Sequence, residues 1–227
     1  LDRCVNEGRC EPKSGLRWVR IPSGSFEMGS NDGDSDERPL HKVQVNSFRM
    51  AESEVTVGQY RKCVEAGVCS NPHTGPKCNW GKLGRDHHPI NCVDWGQART
   101  FSRWVGGDLP TEAQWEYAAR AIPYKATQVD DPRMIIADEQ SYAGSDEVSS
   151  VAWYVENAIN RSHPSCEKEP NELELCDMSG NVQEWTADWD DSKYYQTETV
   201  RNPKGPTKGR FRVLRGGSFT DNHIDLR

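Results

Sequence analysis

Asp177 and Glu184 flank a Gly180-Asn181 pair in the run Cys176-Asp177-Met178-Ser179-Gly180-Asn181-Val182-Gln183-Glu184-Trp185. Gly and Asn both tolerate positive φ, so the pair marks a tight turn. Carboxylates on either side of a turn, with backbone carbonyls between them, offer oxygen ligands to a hard cation. Such ligands suit the flexible coordination of Ca²⁺ better than the strict octahedron of Mg²⁺. The metal-free alternative has Asp177 capping backbone donors and Glu184 paired with an arginine such as Arg215. A second set of polar groups follows Arg215-Gly216-Gly217: Ser218, Asp221, His223 and Asp225. These are the candidate catalytic residues, against the plainer reading that they are loop residues.

Other chemistry-bearing residues point elsewhere. The acidic loop Asn31-Asp32-Gly33-Asp34-Ser35-Asp36-Glu37 lacks the EF-hand arrangement of Gly at position six and Glu at position twelve. It reads as a solvated surface loop. His87 and His88 are adjacent but have no ligand spacing around them, and read as surface residues. Glu116 sits in a Trp-Glu-Tyr run on an apolar helix, where its carboxylate is expected to face solvent or an arginine.

The elements that must position these groups are short. Trp18 to Ile21, a returning strand carrying Phe26 and Met28, and His41 to Met50 alternate as strands. Glu54-Val55-Thr56 precedes a helix carrying Tyr60 and Val64. Asp94 with Gln97, and Thr111 with Gln114, are capping boxes that open two further helices. Gly106-Gly107 closes the first of these. Trp115, Ala118 and Ala119 make the buried stripe of the second. The stretch 67–91 is irregular and holds Cys69 and Cys78, as expected of a covalently tied loop. Val151 to Tyr154 reads as a buried strand, and Phe211 to Leu214 as the strand that feeds Arg215.

The chain of 227 residues fits one large domain with at most a small appendage. Its hydrophobic share is only 34%, but eight Trp and seven Tyr supply large buried areas. Nineteen Gly and thirteen Pro indicate many loops. A net charge of −7 argues against nucleic acid, whose phosphates need a basic surface. No apolar run approaches the ~20 residues of a membrane span.

Eight cysteines fall in local groups without a C-x-x-C spacing. Cys4 is expected to pair with Cys10, and Cys166 with Cys176. Cys63, Cys69, Cys78 and Cys92 are expected to pair among themselves, with all three pairings open. Bridges persist in oxidising compartments, so the expected location is extracytoplasmic: periplasmic, secreted or surface-attached.

Four separated stretches resemble one family in that family's order. They are Ile21 to Ser30 followed by Glu54-Val55-Thr56, Leu109-Pro110-Thr111-Glu112-Ala113-Gln114-Trp115-Glu116-Tyr117-Ala118-Ala119-Arg120, the Asp177 to Trp185 run, and Arg215-Gly216-Gly217-Ser218. The family is that of the formylglycine-generating enzymes, or sulfatase-modifying factors. The resemblance implies an α+β variant of the C-type-lectin fold, loop-rich and here disulfide-stabilised. It places the domain at residues 18–227, after a disulfide-closed arm at 1–17. Relatives continue to a closing Gly-Phe-Arg strand, so the C-terminal end is expected to be incomplete. It also implies calcium held by Asp177, the carbonyls of Gly180 and Val182, and Glu184. A second family calcium position, an Asn after Tyr-Ala, is Gly144 here.

In this family two cysteines after Arg-Gly-Gly-Ser hold copper and oxidise a substrate cysteine. The matching positions are Asp221 and Leu226. Soft thiolates select Cu(I), and neither residue supplies one. A family Trp near the substrate groove is Gln183. Copper oxidase activity is therefore not expected. Two readings follow: a binding or accessory module for a protein or small-molecule ligand, or a divergent modifying enzyme using the polar residues after the motif.

Overall fold

The computed structural model describes residues 10–31, 33, 35–122, 135–136, 140–196 and 201–226. Among these the strands form antiparallel pairs: β1 (Trp18–Ile21) with β4 (Phe48–Ala51), β2 (Gly24–Met28) with β3 (His41–Val45), β5 (Ala121–Ile122) with β6 (Ile135–Ile136), and β7 (Glu184–Trp189) with β8 (Arg212–Arg215). The helices are α1 (Val57–Glu65), α2 (Trp95–Trp104), α3 (Glu112–Arg120) and the single turn α4 (Val148–Val151). The fold is the expected α+β arrangement, with much of the chain in loops.

Local chemistry explains the helix starts. Asp94 accepts from Gln97 N–H at 2.8 Å while the Gln97 side chain accepts from Asp94 N–H at 3.0 Å. Thr111 and Gln114 repeat the exchange at 3.2 and 2.9 Å. Thr56 and Gln59 do the same at the start of α1. Each box satisfies donors that the first helical turn leaves open, worth about 1 kcal/mol per cap.

Alternation on β2 and β3 turns Phe26, Met28, Val43 and Val45 inward, with Phe26 opposite Val43. This face packs on α3, whose Ala113 and Trp115 to Ala119 are all buried. A helix buried around most of its circumference must satisfy any charge it carries. Glu116 is that charge. It bonds Arg120 at 2.9 Å and Arg215 at 2.8 Å, so its arginine is as expected, but the site is core rather than solvent. A second core gathers Leu16, Tyr60, Phe101 and Val105 between α1 and α2.

Bridges Cys63–Cys69, Cys78–Cys92 and Cys166–Cys176 are formed. The middle four thus pair among themselves. Cys10 is also bridged, while Cys4 lies outside the described residues, as do Asp32 and Asp34 of the acidic loop.

Two expectations need correction. Val151 to Tyr154 is not a strand. Ala152 N–H bonds Val148 O at 2.9 Å to close α4, and among the described residues only Trp153 pairs, in a single parallel bridge to Gly180. Four apolar residues do not distinguish helix from strand by periodicity. His88 is also not a plain surface residue. It is half-buried against Arg85, whose Nη1 lies 2.9 Å from His88 Nδ1, while His87 is exposed.

Candidate functional site

The run 176–182 is buried throughout, and its polar groups are tied to distant segments. Three successive N–H groups are engaged: Gly180 to Gly216 O at 2.7 Å, Asn181 to Trp153 O at 2.8 Å, and Val182 to Glu54 Oε1 at 3.0 Å. Asn181, fully buried, donates to Glu54 Oε2 at 2.9 Å and accepts from His163 N–H at 2.9 Å. Phe219 N–H returns to Asn181 O at 2.9 Å. Gly180 has φ +81, and a Cβ there would overlap the backbone of Trp153. Asp177 and Asn181 also adopt left-handed φ, of 55 and 54, which short polar side chains tolerate best.

Asp177 is almost wholly buried. Its Oδ2 accepts from Cys166 N–H at 2.7 Å, while Oδ1 has no hydrogen-bond partner among the described residues. Glu184 Oε2 accepts from Trp115 Nε1–H at 2.7 Å. Burial raises the pKa of Asp177 against the Cys166 hydrogen bond. Burial likewise lifts Glu184 to about 7, with Asp177 adding to the effect and Trp115 opposing it. Glu54 is raised well above the carboxylate range, first by burial and then by the charges of Asp177 and Glu184.

The turn brings an unpartnered buried oxygen on Asp177 and a half-buried carboxylate on Glu184, the kind of oxygen donors a hard cation takes. No group of three or more His, Cys, Asp or Glu side chains able to hold a metal occurs among the described residues. The expected set has two such side chains and completes itself with the carbonyls of Gly180 and Val182. Glu184 does not pair with Arg215. The two face each other as strand partners, but the guanidinium goes to Glu116 at 2.8 Å and lies 3.6 Å from Glu112.

The candidate catalytic residues are only partly gathered. Ser218 Oγ donates to Asp221 Oδ2 at 2.9 Å and lies 3.0 Å from Thr220 Oγ1. His223 and Asp225 are exposed on the one-turn helix His223–Leu226. A cleft of about 460 Å³ is lined by Glu37, Gln183, Arg215, Gly217, Asp221 and Asp225, among others. Gln183 thus shares a cleft with two of the four candidates, while Ser218 and His223 are not among its lining. Leu226 is fully buried.

Sequence reasoning passed over Glu54 and Trp115 as partners of the turn. Their signal was weak, since both sat in family stretches, one read as the approach to a helix and the other as a core stripe.

Comparison with known proteins agrees with this architecture. The family model of the sulfatase-modifying factor enzyme 1-like domain matches residues 7–227, and the chain belongs to this family. It is 29% identical to the formylglycine-generating enzyme of Streptomyces coelicolor, over 92% of this chain and 80% of that protein. It is 31% identical to the serine/threonine-protein kinase pkn1 of Chlamydia pneumoniae over its whole length, but spans only 37% of that larger protein. Among solved structures, PvdO from Pseudomonas aeruginosa superposes with a TM-score of 0.74 at 26% identity, covering 96% of this chain and 88% of that one. Treponema denticola variable protein 1 superposes at 0.71 with 23% identity, covering 93% and 86%.

Proposed function

We propose that this chain is an extracytoplasmic binding or accessory domain of the sulfatase-modifying-factor family that does not oxidise cysteine with copper. The carrying observation is the pair of positions after Arg-Gly-Gly-Ser. Asp221 is engaged by Ser218 and Leu226 is buried, and neither offers the thiolate that Cu(I) requires. Copper therefore does not fit these residues. The bridges at Cys63–Cys69, Cys78–Cys92 and Cys166–Cys176 favour an oxidising compartment. The cleft beside Gln183 is the place for a protein or small-molecule ligand.

In this reading the turn at Asp177 to Glu184 holds a structural Ca²⁺. The unpartnered Asp177 Oδ1 supports it, since a buried carboxylate oxygen without a donor is costly unless a cation meets it. The ion's role is to fix the turn and the strand that leaves it.

The alternative is a divergent modifying enzyme, favoured by the Ser218–Asp221 contact beside the cleft. Incubation with a cysteine peptide of sulfatase type, with and without copper, tests the main reading. No aldehyde product is expected. Clear copper-dependent turnover overturns the assignment of Asp221 and Leu226.

A further inference from the structure

Glu54 lies 127 residues before Asn181 in the chain, yet its carboxylate is fully committed to the turn. One oxygen accepts from Val182 N–H at 3.0 Å. The other accepts from Asn181 Nδ2–H at 2.9 Å and Ser165 Oγ–H at 3.1 Å. With both oxygens so occupied it is poorly placed to be a ligand itself, in keeping with the lack of a three-carboxylate metal cluster among the described residues.

We propose that Glu54 is a positioning residue of the cation site. It clamps Asn181 and Val182 so that Asp177, the carbonyls of Gly180 and Val182, and Glu184 converge on one ion. The proposal rests on the calcium reading above.

Three features carry it. First, the clamp is anchored. Cys176 N–H bonds Glu52 O at 2.8 Å, and Ile90 N–H bonds Val55 O at 2.7 Å, so the segment bearing Glu54 is held on both sides. Second, Ser165 and Cys166 are neighbours in one loop. Ser165 donates to Glu54 and Cys166 to Asp177. One loop, closed by Cys166–Cys176, therefore sets the clamp and the ligand together. Third, the two carboxyl oxygens of Glu54 between them accept three donors at once. A glutamine in its place would turn an NH₂ group toward donors. Outer partners that orient metal ligands commonly govern affinity by about 10–100-fold.

The test is calcium titration of the chelator-treated full chain by calorimetry, with the melting temperature of the metal-free form measured beside it. Glu54→Gln is expected to weaken calcium binding by about 10–100-fold. Ser165→Ala, which removes one donor to Glu54, is expected to weaken it less, in the same direction. If wild-type protein binds no calcium, the calcium reading and this proposal fall together. If wild type binds and Glu54→Gln binds equally well, only this proposal falls, even where the metal-free melting temperature drops. Should Glu54→Gln fail to fold, Ser165→Ala decides, and an unchanged affinity there overturns the proposal.

Discussion

Trp115 and Glu184 are joined by a 2.7 Å hydrogen bond from the indole N–H to the carboxylate. The bond couples the helix motif to the turn motif, which lie 69 residues apart in the chain. Trp115 is also packed against Gly216, where a Cβ would come within 3.2 Å of the ring. Helix, turn and Arg-Gly-Gly-Ser strand thus meet at one indole.

Trp115→Phe keeps much of the ring but leaves a half-buried Glu184 oxygen without its donor. Chemical denaturation should show a loss of about 1–3 kcal/mol from that oxygen alone. Trp115→Ala adds a cavity and should cost about 3–5 kcal/mol. A Phe variant as stable as wild type would mean that this bond contributes nothing.

Calcium bound only to the folded state stabilises it by mass action. Chelation should lower the melting temperature, and reloading should restore it. The double change Asp177→Ala with Glu184→Ala should remove the sensitivity. A melting curve indifferent to chelation in a reloaded sample would leave the turn a metal-free structure.

The Cys166–Cys176 bridge closes the loop that supplies the Cys166 N–H donor of Asp177. Replacing both cysteines with serine should cost about 2–5 kcal/mol in urea unfolding. Calcium affinity should fall as well, because the donor is no longer held in place. Equal affinity in bridged and unbridged proteins would uncouple the loop from the site.

His88 gives a pH dependence of definite sign. Burial, then the charges of Arg85 and His163, lowers its pKa to about 4, from about 6.5 in the unfolded chain. The folded state therefore binds its proton less readily than the unfolded one. The stabilising contribution is full above about pH 6.5 and is lost as pH falls through that value toward 4. Melting temperatures between pH 7 and 4 should fall more steeply for wild type than for His88→Gln. Parallel slopes would remove His88 as a source of acid sensitivity.

What could be read from sequence was what is written locally. The boxes at Asp94–Gln97 and Thr111–Gln114 span three residues each, and the bridged cysteines are near neighbours in sequence. The family stretches gave the fold. Arg215 shows where this stops. It was a natural partner for Glu184, its opposite number on the neighbouring strand, yet a buried Glu116 needed it more. Glu54 was read only as a residue before a helix, because its bonds to Ser165, Asn181 and Val182 have no local signal. Trp153 was drawn into a strand by its apolar neighbours, whereas among the described residues it pairs through one bridge to Gly180.

The turn at Gly180-Asn181 looks self-contained, but its bonds come from residues 54, 153, 163, 216 and 219. Its shape therefore depends on segments from across the chain being in place. Contacts of such high sequence separation must first offset the entropy of closing long loops. A synthetic peptide spanning 176–185 would have the proposed ligand residues without the geometry. Transplanted into another protein, those ten residues would not behave as a portable ion-binding loop.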